Sequence, residues 1–418
     1  MNSKGYKFSL PLFIFWPFGS FLLSLRDINK KSSAIVIILF CAVFGYSFVF
    51  METSADSYRM AWVFDNFSHI SFSEIFQLYI QGGIPDIYKF VFYGFTKTYS
   101  NNPKVLFSLF GLVFGFFWYL SLRVFAHEKG RKRDVFIIIL FIAFFACNPI
   151  TNVNGARFNT ATWLFFYSTY SLVIYNKKKW ILGLFCTPLI HFSFLFVVPI
   201  IVLFYTFKHL FNSNSKLSSL LYYIFVFTFL LSFVMDTNVI KLDILSDATP
   251  LQGSVTNKIS VYNSDKIGEL YKNRINTSFF LTVSKYFGYA MKIYFFTFII
   301  FSKKLIEKIK YQDSKLNKLI VFILFFMSIS YILSSVPSGG RFLIIGYISC
   351  ILLMLKLYII YPTKKIKKFI VWLLPIFSFQ ILFGIGYLSY ALVSSTLWYG
   401  NLFWIIYEGI NFEFIYIY

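Results

Sequence analysis

Charge is what this sequence has least of. Only 13% of its 418 residues are charged, against roughly 25% in a soluble globular domain, which excludes a soluble enzyme and a disordered chain. Acidic residues are the scarcer kind, 17 Asp and Glu against 39 Lys and Arg. Cysteine is nearly missing: Cys41, Cys147, Cys186 and Cys350 all lie in apolar runs and none forms a CxxC pair. That excludes a disulfide-rich secreted domain and reads them as small core or lipid-facing residues. There is no GxxxxGK[ST] loop, no HExxH and no carboxylate triplet, which argues against an ATP-driven pump and a metal-dependent transferase. No internal repeat and no separate soluble domain stands out.

What remains is apolar. Hydrophobic residues make up 58%, 58 residues are Phe, and the mean hydropathy is +0.68. The Phe, Ile, Lys and Asn bias fits an AT-rich coding sequence, so most of the Phe needs no functional reading. A crossing helix takes about 20 mostly apolar residues. Such segments lie near 8–25, 34–50, 104–125, 135–148, 159–175, 180–207, 217–235, 286–302, 318–335, 342–361 and 369–390. The first carries Pro11 and Pro17 but no small-residue cleavage site, and reads as a retained helix rather than a signal peptide. The fold expected is all-α: one polytopic transmembrane domain over 1–418 with about 11–12 crossings.

The formal charge of +22 follows topology. Basic clusters at Arg26-Lys30-Lys31, Lys129–Arg133, Lys177–Lys179, Lys208-Lys216, Lys303–Lys318 and Lys364–Lys368 mark the cytoplasmic side, with Arg123 and Lys356 snorkelling towards it. Nucleic acid is not needed as a partner. Parity then requires 180–207 to go out and return as a broken hairpin meeting at His191, interrupted by Pro188 and Pro199. The alternative is one kinked, tilted helix. Two long external loops result, 51–103 and 236–285. The first holds amphipathic stretches at 75–80 and 88–95, read as interfacial helices. The final 391–418 is either interfacial or a further crossing.

Charged and polar groups beside the apolar segments are functional candidates. Arg157, in Asn154-Gly155-Ala156-Arg157, opens a helix at the outer face and offers a planar fork of donors for phosphate; Asn154 and Asn159 suit sugar hydroxyls. A snorkelling arginine on a capped turn is the plain alternative. Ser338-Gly339-Gly340-Arg341 repeats the arrangement, so two arginines resemble a diphosphate clamp. Asp56, Tyr58 and Arg59 follow the second helix at the same face; Asp56 is a general base, an orienting partner or an ordinary loop carboxylate. His191 is a proton shuttle or a packing residue. Lys272, Arg274, Lys285 and Lys292 add positive potential there or anchor at the interface.

These residues carry a family resemblance. Ala55-Asp56-Ser57-Tyr58, Asn154 through Ala161, Ile190-His191-Phe192-Ser193 and Gly340-Arg341-Phe342 with Tyr347 resemble the EpsG-like and Wzy-type polymerases of bacterial O-antigen and capsular polysaccharide. The family pattern has Gly before the Asp and Gln after the Arg, where this chain has Ala55 and Phe158. The resemblance implies a GT-C-like, metal-independent glycosyltransferase without soluble cofactor. It would sit as a multi-pass protein in the bacterial inner membrane with its active face periplasmic. Donor and acceptor would be undecaprenyl-diphosphate-linked glycans, with a chain-length regulator as a further partner. Arg157 and Arg341 would take the leaving diphosphate, and His191 or Asp56 would act as base. Tyr58, Arg59, Asn154, Asn159, Arg274 and Lys285 would bind substrate. The rivals are a flippase or transporter of the same lipid-linked glycan, an O-antigen ligase, and a membrane protein whose arginines are only anchors.

Overall fold

The structure, a computed structural model, describes residues 9–50, 56–66, 71–81, 84, 86–130, 132–213, 215–234, 279–309, 313–336, 338–387 and 392–410. Regular structure among them is helical, with one isolated bridge between Phe48 and Val393. Among the described residues, four segments are long and apolar enough to cross a membrane: Pro103–Lys129, Val135–Val173, Ser314–Leu333 and Gly339–Ile360. Lys31–Tyr46, Trp180–Ile190, Phe194–Phe207 and Ser219–Val234 are shorter apolar helices. The chain is a helical membrane protein.

The N-terminal helices are α1 (Ser9–Phe15), α2 (Pro17–Ser24) and α3 (Lys31–Tyr46). The segment read as the first external loop holds α4 (Asp56–Asp65), α5 (Phe72–Ile80) and α6 (Tyr88–Tyr99), so its amphipathic stretches are helical as expected. Next come α7 (Pro103–Lys129), α8 (Val135–Cys147), α9 (Ala156–Val173), α10 (Trp180–Ile190), α11 (Phe194–Ser213) and α12 (Ser215–Val234). The last are α13 (Phe279–Ile309), α14 (Ser314–Leu333), α15 (Leu343–Ile360), α16 (Lys364–Tyr387), α17 (Thr396–Tyr399) and α18 (Leu402–Ile410). Most of the second expected loop, including Lys272 and Arg274, lies outside the described residues. Of the final stretch, α18 has 9 described residues, about 14 Å of helix, and 411–418 lie outside the described residues.

The expected crossing over 8–25 is not one helix. Trp16 is extended and Pro17 opens α2. Ser20 Oγ donates to Ser9 O at 2.5 Å across a separation of 11 residues; a straight helix would hold them about 16 Å apart. So α1 and α2 fold back on each other, and neither alone spans the roughly 30 Å hydrocarbon core.

Sequence chemistry sets the other helix ends. Asn102 Oδ1 accepts Lys104 N–H ahead of Pro103, and Gly130, at φ 58, ends α7. Asp134 Oδ1 caps α8 through Ile137 N–H, and Asp313 Oδ1 caps α14. The core sits on α9 and α15, which are buried on nearly every face. That enclosure corrects the reading of Lys356. Its ammonium is not a free snorkelling cation: Nζ pairs with Glu128 Oε2 at 2.7 Å, both side chains being 8% exposed. Glu128 Oε1 also accepts from the Tyr170 and Tyr175 hydroxyls.

Helices α3 and α7 cross with their backbones in contact. A Cβ at Gly45 would strike the Phe107 carbonyl, and one at Gly111 the Cys41 carbonyl. Small residues allow such close approach in membranes. Gly111→Val is therefore expected to force the helices apart, at about 1–3 kcal/mol of overpacking, read as a lower melting temperature in detergent; an unchanged melt would contradict the contact.

Helices α10 and α11 are separated at His191–Ser193, where His191 is extended. Two features within α10 prepare the break. Pro188 has no N–H for the Leu184 carbonyl, and Thr187 Oγ1 donates to that oxygen instead at 2.6 Å. The Leu189 carbonyl accepts from Ile87 N at 3.1 Å. The break thus ties the start of α6 to the end of α10.

Candidate functional site

The residues ahead of α9 form a rigid turn. Asn148 Nδ2 donates to Asn159 O, Asn152 Nδ2 to Asn148 Oδ1, and Asn159 Nδ2 to both Asn152 O and Gly155 O. These amides, of which Asn159 was expected to meet sugar hydroxyls, lace a 3-10 turn over Ile150–Gly155 onto α9. Asn154 Oδ1 accepts Ser57 N–H at 2.7 Å and so holds the first turn of α4 against the turn. That brings Asp56 to Gly155: a Cβ there would sit 3.6 Å from Asp56 Oδ2 and 3.0 Å from Asn159 Nδ2. Asp56 Oδ1 accepts from Arg59 in an exposed ion pair, and Tyr58 packs half-buried against the core.

Arg157 faces a carboxylate that sequence reading missed. Its Nη1 donates to Asp86 Oδ2 at 2.8 Å, with Asp86 fully buried and Arg157 26% exposed. Asp86 Oδ1 is buried without a hydrogen-bond partner. The charges of the pair reach neighbouring tyrosines. Burial pushes the Tyr93 hydroxyl well up, with Arg157 pulling it down and Asp86 raising it further; burial and then Asp86 raise Tyr79. Tyr93 Oη donates to Met60 O, binding α6 to α4.

Phe158 is the hub of the remaining groups. Its ring meets His191 edge-on at 5.3 Å, Phe194 at 5.4 Å and Phe342 at 5.7 Å. The Arg341 guanidinium lies over it at 5.6 Å. Arg341 is exposed on a 3-10 turn, Gly339–Phe342, that follows Ser338 in the left-handed region. Five consecutive residues, 154–158, which include Arg157, thus gather Asp56, Asp86, His191 and Arg341 from segments distant in sequence.

Ser193 N–H donates to His191 Nδ1 at 3.3 Å and Ser193 Oγ lies 2.8 Å from the same nitrogen, an arrangement that suits an imidazole accepting at Nδ1 and carrying its proton on Nε2.

Lys292 is the second feature that sequence reading undervalued. It is 8% exposed and donates to Ser334 Oγ at 3.0 Å. No carboxylate pairs with it among the described residues. Ser334 Cβ lies 3.9 Å from a Cβ built on Gly340, which puts this ammonium next to the Arg341 turn. Lys285 is exposed on the same helix, α13, and no contact joins it to the group among the described residues. In balance, Arg157 and Arg59 pair with carboxylates while Arg341 and Lys292 have none within ion-pair distance among the described residues, so the described cluster is net positive. No family model, no curated protein and no solved structure matches this chain.

Proposed function

We propose that the chain is a membrane glycosyltransferase that polymerises undecaprenyl-diphosphate-linked glycan repeats at the outer face of the bacterial inner membrane. The observation that carries this is the convergence of cations and a carboxylate on residues 154–158. In this reading α10 and α11 are the legs of a broken hairpin in a GT-C-like fold. Asp56 Oδ2 takes the proton of the acceptor hydroxyl. The acceptor oxygen bonds to the donor anomeric carbon as the bond to the diphosphate oxygen breaks, and that oxygen keeps the electron pair. Arg341, Arg157 and Lys292 meet the charge that develops there. His191, with its proton on Nε2, donates a hydrogen bond rather than accepting a proton. Asn154 and Asn159 hold the turn, and Arg59 holds Asp56.

The test couples undecaprenyl diphosphate binding by purified protein to the polysaccharide ladder of cells. Arg341→Lys keeps the charge and loses the fork. At about 1.5–3 kcal/mol per charge-assisted bond, binding or turnover should fall about 10- to 150-fold. Wild-type binding and wild-type ladders at equal abundance would refute the reading. The buried Glu128–Lys356 pair, placed at the basic end of the chain's helices, favours a second reading, a flippase for the same lipid. Unpolymerised repeats trapped on the inner leaflet of a deletion strain would decide for it.

A further inference from the structure

Where the ends of α2 and α7 meet the start of α3 lies a cavity of about 410 Å³. Four cations line it, Arg26, Lys30, Lys129 and Arg133, with one carboxylate, Asp27. Asp27 bonds Lys30 Nζ at 3.3 Å and Arg133 Nη2 at 3.2 Å, which fixes those two in place. Arg26 and Lys129 have no carboxylate within ion-pair distance among the described residues. One carboxylate against four cations leaves positive charge focused on a concave space, an arrangement stabilised by an anion inside it.

The rest of the lining says which kind of anion. Leu25, Ile28 and Ala126 supply apolar surface within the cavity. On α2, Leu22 and Leu23 are 47% and 42% exposed, about one turn from Arg26. A free phosphate would use the cations alone; an amphiphile uses both surfaces. We propose that this cavity binds the phosphate of an anionic glycerophospholipid, with an acyl chain along α2. Basic pockets between membrane helices recognise acidic headgroups in this way.

The test is saturable binding of phosphatidylglycerol to delipidated protein in detergent, with phosphatidylcholine as the neutral comparison. Arg26→Gln with Lys129→Gln should weaken phosphatidylglycerol binding by about 30-fold. Lys364→Gln with Lys365→Gln removes the same charge from exposed residues outside the cavity lining and should leave binding unchanged. Millimolar inorganic phosphate should not displace the lipid. Equal losses in both double variants, or full displacement by inorganic phosphate, would overturn the assignment. If the first double variant loses its monodisperse peak, Arg26→Gln alone, at an exposed residue, carries the comparison: a loss of several-fold supports the cavity, and none sinks it.

Discussion

Arg157→Ala is expected to cost about 3–5 kcal/mol of stability, because it strands a fully buried carboxylate, and under the proposed polymerase function to abolish chain growth. Asp86 already has one oxygen without a partner, so removing the arginine leaves both unsatisfied. Replacing the pair together separates structure from chemistry. Asp86→Asn with Arg157→Gln keeps a neutral hydrogen bond and should recover most of the melting temperature in detergent, yet no polymer. A melt unchanged in Arg157→Ala would mean the pair is not buried, and polymer in the double variant would remove Arg157 from the chemistry.

His191 carries the second large effect. As a donor through Nε2, its loss in His191→Ala should slow chain growth about 10²–10³-fold, the range for a lost donor to a developing oxyanion. His191→Gln keeps a side-chain N–H and should restore long chains to within about tenfold of wild type. Asp56→Asn should lose about 10²–10⁴-fold, as expected for the base. The gel ladder at matched membrane abundance reads all three. If Gln is as inactive as Ala, the proton acceptor is the histidine after all and the tautomer assigned from Ser193 is wrong.

Apolar length was enough to find most of the helices, because a 20-residue hydrophobic run has few other fates. It failed at 8–25, where composition is apolar throughout but Pro17 fits the first turn of a new helix as well as the middle of an old one. The candidate site was legible as pieces. Arg157, His191, Arg341 and Asp56 each stood out as polar groups beside apolar runs. Their meeting point was not, since Phe158 looks like any other of the many phenylalanines. Asp86 was hidden for a different reason. In Gly82-Gly83-Ile84-Pro85-Asp86 it reads as a turn carboxylate, and its partner is 71 residues away. Lys356 misled because a lone lysine in an apolar helix is consistent with snorkelling. Its pairing depends on Glu128 standing level with it on another helix, and no local pattern encodes that.

The end of the chain is stitched to its beginning. Tyr46 Oη donates to Ile406 O, Asn102 Nδ2 to Gly409 O, Ser394 N to Ser47 O and Val49 N to Leu392 O. Asn102 and Gly409 are 307 residues apart, so at roughly 5–20 residues per second the ribosome needs about 15–60 s between them. Until residues 392–409 are made, these groups at the ends of α3 and α7 lack those partners. Truncation before Leu392 would remove these partners, and such a chain is expected to be degraded faster in cells than one that carries residues 392–409.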